Sequence, residues 1–323
     1  MKCRIVSSLV LVVGLFAACE KARAPHPKGS GTLSAAELDL FRFLPKGAPM
    51  YFAGDYSKLH DFMSGGLGQL ATTVEDKLSP GMAALTKCLA GPGGMKSALS
   101  VSFANQTLET RIVMNGLKIA DVARCGQDGG LKTTVDADNR FVNVELPMPL
   151  GTFDFSYYAL STGQLYMHQI MSIGQKTPPK MATRAECEAE LAALGHNTAA
   201  EDADFNALAS NADRTKTAWF AGSGAGTPLA EKVADAYGSI DASTGIALDI
   251  TVRLIKPADA EKLEQGVGQL RKMSDQLPAS FKDVVAALKF DRSNDRVHFA
   301  LALSDAQLKS VSDQVGSMLG KLH

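Results

Sequence analysis

Between Ile246 and Leu254 every second residue is apolar: Ile246, Leu248, Ile250, Val252 and Leu254 alternate with Ala247, Asp249, Thr251 and Arg253. A period of two puts one set on each side of an extended chain, so this segment predicts a half-buried strand. The period then changes. From Pro257, a residue suited to the first helical turn, Leu263, Val267, Leu270 and Met273 recur every three or four positions until Pro278 ends the run, which predicts a helix with one buried face. Another helix is predicted to open at Ser304, with Gln307 at the capping-box position and Leu308, Val311, Val315 and Met318 as its stripe. Thr183 and Glu186 predict a third capped start. Residues 57–74 carry Leu59, Met63, Leu67, Leu70 and Val74 at helical spacing, interrupted by Gly65 and Gly66. Phe153, Phe155 and Tyr157 alternate into Ser161-Thr162-Gly163, and Leu165 to Met167 return, which reads as a hairpin.

Three segments recur in the same order. Met50-Tyr51-Phe52-Ala53-Gly54 matches Ala218-Trp219-Phe220-Ala221-Gly222, Leu117-Lys118-Ile119-Ala120-Asp121 matches Ile255-Lys256-Pro257-Ala258-Asp259, and Asp138-Asn139-Arg140-Phe141 matches Asn294-Asp295-Arg296-Val297. Leu108, Ile112 and Met114 keep the parity of the 246–254 strand. The expectation is an α+β protein of antiparallel or mixed sheets with helices packed on one face, built from two duplicated halves of strand, helix, strand, strand, helix. The halves are placed at 37–150 and 212–323, with a connecting hairpin and helix over 151–211.

The first residues read as an address. A basic start (Lys2, Arg4) leads into an apolar run from Ile5 to Ala18, too short for a transmembrane helix of about 20 residues and shaped like a secretory signal peptide. Leu15-Phe16-Ala17-Ala18-Cys19 resembles the lipobox of bacterial lipoproteins. That resemblance implies that residues 1–18 are removed, that Cys19 carries the lipid, and that the chain is held on a membrane through it. Glu20, in place of the aspartate that in enteric lipoproteins favours inner-membrane retention, implies the outer membrane, facing the periplasm. The alternative is an ordinary cleaved signal and a free periplasmic protein. The segment 19–36, rich in Pro, Gly and Ser, is then a lipid-anchored flexible tether.

Charge and cysteine content fit export. Without Lys2 and Arg4 the 33 basic residues become 31 against 34 acidic, a formal charge of −3, which gives no electrostatic pull toward nucleic acid. Beyond Cys3 and Cys19, three cysteines remain: Cys88, Cys125 and Cys187. In an oxidising compartment they predict one bridge and one leftover thiol. Cys88 and Cys125, each near a helix end followed by a glycine turn, are the first choice, and a pairing of Cys187 with either stays open.

Candidate chemistry is sparse. Gly222-Ser223-Gly224-Ala225-Gly226-Thr227 follows a strand but matches neither the dinucleotide fingerprint nor the P-loop, and reads as a flexible strand-to-helix turn. His60, His168, His196 and His298 have no metal-ligand spacing, there is no Gly-x-Ser-x-Gly elbow, and Glu201-Asp202 and Asp235 sit in cap and surface patterns. No pattern predicts a cofactor or a metal. Tyr51, Phe153, Phe155, Tyr157 and Trp219 line either an ordinary core or the wall of an apolar ligand pocket. The functional expectation is a non-catalytic binding or scaffold module with an envelope protein as partner. A carrier of a lipid or other hydrophobic ligand comes second, and an envelope enzyme third.

Overall fold

The computed structural model describes residues 29–55, 58, 80–90, 95–104, 106–148, 151–172 and 179–320. The signal segment and Cys19 lie outside the described residues, as does nearly all of the helix predicted over 57–74. In chain order the elements are α1 (Ala35–Phe41), β1 (Met50–Asp55), α2 (Pro80–Ala90), β2 (Lys96–Ala104), β3 (Thr107–Asn115), α3 (Ile119–Asp128), β4 (Lys132–Val135), β5 (Phe141–Met148), β6 (Gly151–Ala159), β7 (Leu165–Ser172) and β8 (Lys180–Met181). They continue with α4 (Arg184–Leu194), α5 (Ala203–Ala209), β9 (Ala218–Ser223), β10 (Val233–Asp241), β11 (Ile246–Leu254), α6 (Pro257–Met273), α7 (Ala279–Ala287), β12 (Lys289–Ser293), β13 (Arg296–Leu303) and α8 (Asp305–Gly320). No helix among the described residues is long and apolar enough to cross a membrane.

The strands form one antiparallel sheet in the order β12-β13-β11-β10-β9-β1-β2-β3-β7-β6-β5-β4, with β8 on β7. Its centre is the β1–β9 pair, where Phe52 faces Phe220, Tyr51 faces Ala221 and Ala53 faces Trp219. Residues that match in sequence therefore sit symmetrically about Phe52/Phe220. Asp55 N–H donates to Thr217 O at 2.8 Å and Ser223 N–H donates to Pro49 O at 2.8 Å, the same bond on the two sides. The matched glycines have one reason to be glycine: a Cβ on Gly54 would lie 2.6 Å from Thr217 O, and one on Gly222 would lie 2.2 Å from Pro49 O.

The correspondence extends outward through the register. Ala53 faces Ala98, which faces Val113; Ala221 faces Tyr237, which faces Thr251. Four residues beyond Val113 and Thr251 are Leu117 and Ile255, the second sequence match, and each leads into a helix behind an extended Lys118 or Lys256. The symmetry then breaks. β13 pairs directly with β11, whereas β3 pairs with β7, so the β6–β7 hairpin separates β5 from β3. The third match is offset by one residue in the structure, since the left-handed turn residues are Asn139 (φ 56°) and Asn294 (φ 57°).

Strand parity fixes the layers. Ala98, Val113 and Tyr166 face a core with Tyr51, Trp219 and the helices α1, α4 and α5. Met114, Leu165 and Met167 face the other way, against α2 and α3, with Val142, Val144 and Leu146 closing that core. In the second half α6, α7 and α8 pack on the same side as α2 and α3, against Val252, Leu254, Val297 and Leu301. Helices thus lie on one face of the second half, as expected, and on both faces of the first. The predicted hairpin is formed by β6 and β7, but they pair only at Tyr158–Tyr166 and Ala159–Leu165, and the rest of β6 pairs with β5. The Gly222–Thr227 segment is corrected: no helix follows it. Thr227 Oγ1 donates to Gly224 O at 2.7 Å, and the turns run straight into β10.

Residues 30–36, read in the sequence with the segment 19–36, are held to the fold. Ser30 N–H donates to Ala212 O at 3.1 Å, and Arg214 Nη2 donates to the carbonyls of Ser30, Gly31 and Thr32 at 3.2, 2.8 and 2.7 Å. Arg214 is only 5% exposed and lies 5.9 Å from the Trp219 ring. Leu33 is buried and Ser34 caps α1 in a capping box with Glu37, so residues 30–36 are part of the folded body. The residue responsible is 184 positions from Ser30, beyond the reach of local pattern.

Candidate functional site

The strand alternation that buries Val113 also turns Glu109 and Arg111 toward the α4 side, beside His168 and Tyr166 of β7. α4 starts at Thr183, capped by Glu186, and one turn past the buried Cys187 it brings Glu190 down onto this group. Glu190 accepts a hydrogen bond from Arg111 Nε and another from the Tyr166 hydroxyl at 2.9 Å, and His168 Nδ1 lies 2.9 Å from the same Oε2. Arg111 Nη2 donates to Glu109 at 2.9 Å. Burial on its own would raise the Glu190 pKa, but hydrogen bonds from His168 and Arg111, with their charges, outweigh it and hold the carboxyl at about 2. Burial, then the Glu190 charge, pushes the Tyr166 hydroxyl up.

This group has the residue types of an acid–base site, and its geometry is that of a clamp. Its paired atoms tie α4 to β3 and β7, while His168 Nε2 is buried without a hydrogen bond, 4.0 Å from Glu109. The neighbouring thiol is not activated: burial, then the charges of Glu190, Glu186 and Glu188, pushes Cys187 up to about 12, and only a thiolate is a strong nucleophile. Native protein is therefore expected to leave Cys187 unmodified by a thiol reagent near neutral pH, and to make it reactive in denaturant. Intact-mass measurement after alkylation checks this. A second clamp holds α4 to the β4–β5 turn, where Arg184 donates to both oxygens of Asp138 at 2.7 and 2.8 Å and to Glu188 at 2.9 Å.

The residues singled out in the sequence are dispersed. Cys88 and Cys125 form a disulfide with Cα atoms 5.5 Å apart, joining α2 to α3. Tyr51 and Trp219 pack with Phe41 and Phe205 on the α1/α4/α5 side, and the Tyr51 hydroxyl donates to Pro45 O at 2.7 Å. Phe153, Phe155 and Tyr157 pack in the core under α2 and α3, on the opposite face of the sheet. The five aromatic residues therefore line no common pocket: Tyr158 of β6 shares the face of Tyr51 and Trp219, so strand alternation puts Phe153, Phe155 and Tyr157 on the opposite one. Asp202 caps α5 through Phe205 N–H at 3.2 Å, and Asp235 pairs with Arg253. His298 is buried 3.0 Å from Asp249, and His196 is exposed 3.3 Å from Glu201, while His60 lies outside the described residues. Among the described residues no three His, Cys, Asp or Glu side chains group as metal ligands.

One concavity was not legible in the sequence. A groove of about 560 Å³ runs between α3 and the turns of the β4–β5 and β6–β7 hairpins. Ile119, Ala120, Ala123, Val135, Ala159 and Leu165 form its apolar lining. Its two ionisable lining groups are both basic: exposed Lys118 and the 57%-exposed Arg124, which lies 3.8 Å from each of Asp121 and Asp128 outside the lining. Small side chains leave the space open, and Gly163 at φ 86° turns the hairpin along one wall.

No family model matches the chain, and no curated protein matches it. Among solved structures it is similar to TP0453 in crystal forms I and III. The identity is 11% in both, with TM-scores of 0.42 and 0.45, covering 87% and 86% of this chain and 99% of each of those chains.

Proposed function

We propose that the protein is a lipid-anchored lipoprotein of the bacterial cell envelope, held through Cys19 on the periplasmic side of the outer membrane. Its folded part is a non-catalytic binding module for an envelope partner. The observation that carries this reading is the ordered run of a basic start, the apolar segment Ile5 to Ala18, and Leu15-Phe16-Ala17-Ala18-Cys19. Two features of the fold support it. The Cys88–Cys125 bridge suits an oxidising compartment, and the charged groups gathered under α4 are spent on one another. The α3 groove favours a second reading, in which the module also carries a hydrophobic ligand, since its volume lies within the usual range for small-molecule sites.

Replacing Cys19 with Ala is expected to abolish incorporation of labelled palmitate and to leave the protein as an unprocessed precursor. Continued labelling would show that the lipid sits elsewhere. For the module itself, cross-linking in native envelopes should give a discrete adduct, and recovery of none counts against an envelope partner.

A further inference from the structure

The groove exists because the two halves differ. In the second half β13 lies directly on β11, so the space beside the equivalent helix α6 is closed by the sheet. In the first half the β6–β7 hairpin is wedged between β3 and β5, and its turn stands off α3 with only Ala159, Gly163 and Leu165 facing Ile119, Ala120 and Ala123. The apolar gap belongs to the part of the fold that the duplication does not explain.

Its position follows from the strand register. Arg214, immediately before β9, clamps residues 30–32 at the start of the described chain. From there paired residues run along a single rim of the sheet: Ala218 faces Gly54, Asp55 faces Lys96, Lys96 faces Asn115, Met114 faces Leu165, and Leu165 faces Ala159. Four strand spacings of about 4.8 Å place the groove about 19 Å along this rim from the point where the chain enters the fold. Cys19 to Gly29 is ten residues, which extend to about 35 Å at most. The groove is therefore closer to the entry point than the tether is long, on the end of the sheet that the tether draws to the bilayer.

We propose that this groove takes an acyl chain of an anionic phospholipid from the membrane that holds Cys19, with Lys118 and Arg124 against its phosphate. The proposal rests on the lipoprotein reading. It is argued from three things on the same rim: an apolar lining, two basic groups as the ionisable side chains among its described lining residues, and a tether that keeps the groove within reach of lipid. An acyl chain entering the gap leaves water for exposed Ala120 and half-buried Val135 and Ala159, over a floor of buried Ile119 and Leu165, and the basic side chains set the preference for an anionic headgroup.

The test uses the full-length, lipidated protein in vesicles of phosphatidylethanolamine and phosphatidylglycerol, with a trace of phosphatidylglycerol bearing a diazirine on its acyl chain. After photolysis and peptide mapping, adducts are expected on residues 119–124 and 159–165. Ala120 is exposed, so Ala120→Trp fills the groove without disturbing the core and should lower the adduct yield by about tenfold. Lys118→Glu with Arg124→Glu should abolish the preference for phosphatidylglycerol over a diazirine-bearing phosphatidylethanolamine probe. Adducts spread over the sheet, or a yield unchanged by Ala120→Trp, would overturn the proposal. Palmitate labelling of the same preparation separates the two readings: labelled Cys19 without groove adducts removes the groove alone, whereas unlabelled Cys19 removes the anchor and the proposal with it.

Discussion

Glu190→Ala is expected to destabilise the fold by about 3 kcal/mol, the lower end of the range for breaking a buried ion pair, because both partners keep some contact with solvent. The Glu190 side chain is 20% exposed and that of Arg111 is 13% exposed. Removing the carboxylate deprives Arg111 Nε, the fully buried Tyr166 hydroxyl and His168 Nδ1 of their shared partner. Such groups cost more when left unpaired than the bonds contribute when made. Glu190→Gln keeps an acceptor in place and should cost less. Denaturant midpoints near neutral pH for the two variants check the order, and equal losses would refute the clamp.

The same carboxylate predicts a pH dependence. A folded-state pKa of about 2 lies below the ordinary Glu value of about 4.3, so its contribution is fully present above the unfolded pKa and is lost as pH falls from there toward 2. Wild-type stability should therefore drop across that window by more than that of Glu190→Gln. Parallel acid titrations of the two proteins would contradict this.

Loss of the Cys88–Cys125 bridge is the second large effect. The two cysteines are 37 residues apart, and in the chain-entropy model closing such a loop contributes about 4 kcal/mol. The bridge also secures α2, whose Leu85 and Leu89 are buried against Ile119 and Val122 of α3. Cys88→Ser with Cys125→Ser is expected to unfold at markedly lower denaturant, and wild type treated with dithiothreitol should fall to the same midpoint. A Cys187→Ser protein should keep the full response to reductant. A wild-type midpoint indifferent to dithiothreitol would show that the cross-link adds nothing.

Much of the architecture was legible because it is local. The alternation of 246–254 became β11, and Pro257 opens α6. The boxes at Thr183 and Ser304 are formed, with Glu186 and Gln307 side chains reaching back to the N–H groups of Thr183 and Ser304 at 2.7 and 2.9 Å. The Met50–Gly54 and Ala218–Gly222 match was readable because close approach of two backbones demands glycine at the same place in each strand. The groove and the α4 clamp were not legible. Glu109 and Arg111 alternate with Leu108 and Ile112, a pattern that reads as a solvent face; they are covered only because α4, some 80 residues later, lies across them. The aromatic residues carried no sign of the register that aligns Tyr158 with Tyr166 and so sets Phe153, Phe155 and Tyr157 on the face opposite to Tyr51 and Trp219.

The capped helices, the half-buried strands and the matched segments were settled by local pattern, since each depends on contacts within one or two turns of chain. Only distant contacts decided that residues 30–34 join the fold, which charges pair and where a concavity opens. Arg214 meets Ser30 across 184 positions, Arg111 meets Glu190 across 79, and the groove lies where an inserted hairpin parts two strands that the other half keeps together. Periodicity states which face of an element is apolar. Only the register of the sheet states what that face meets.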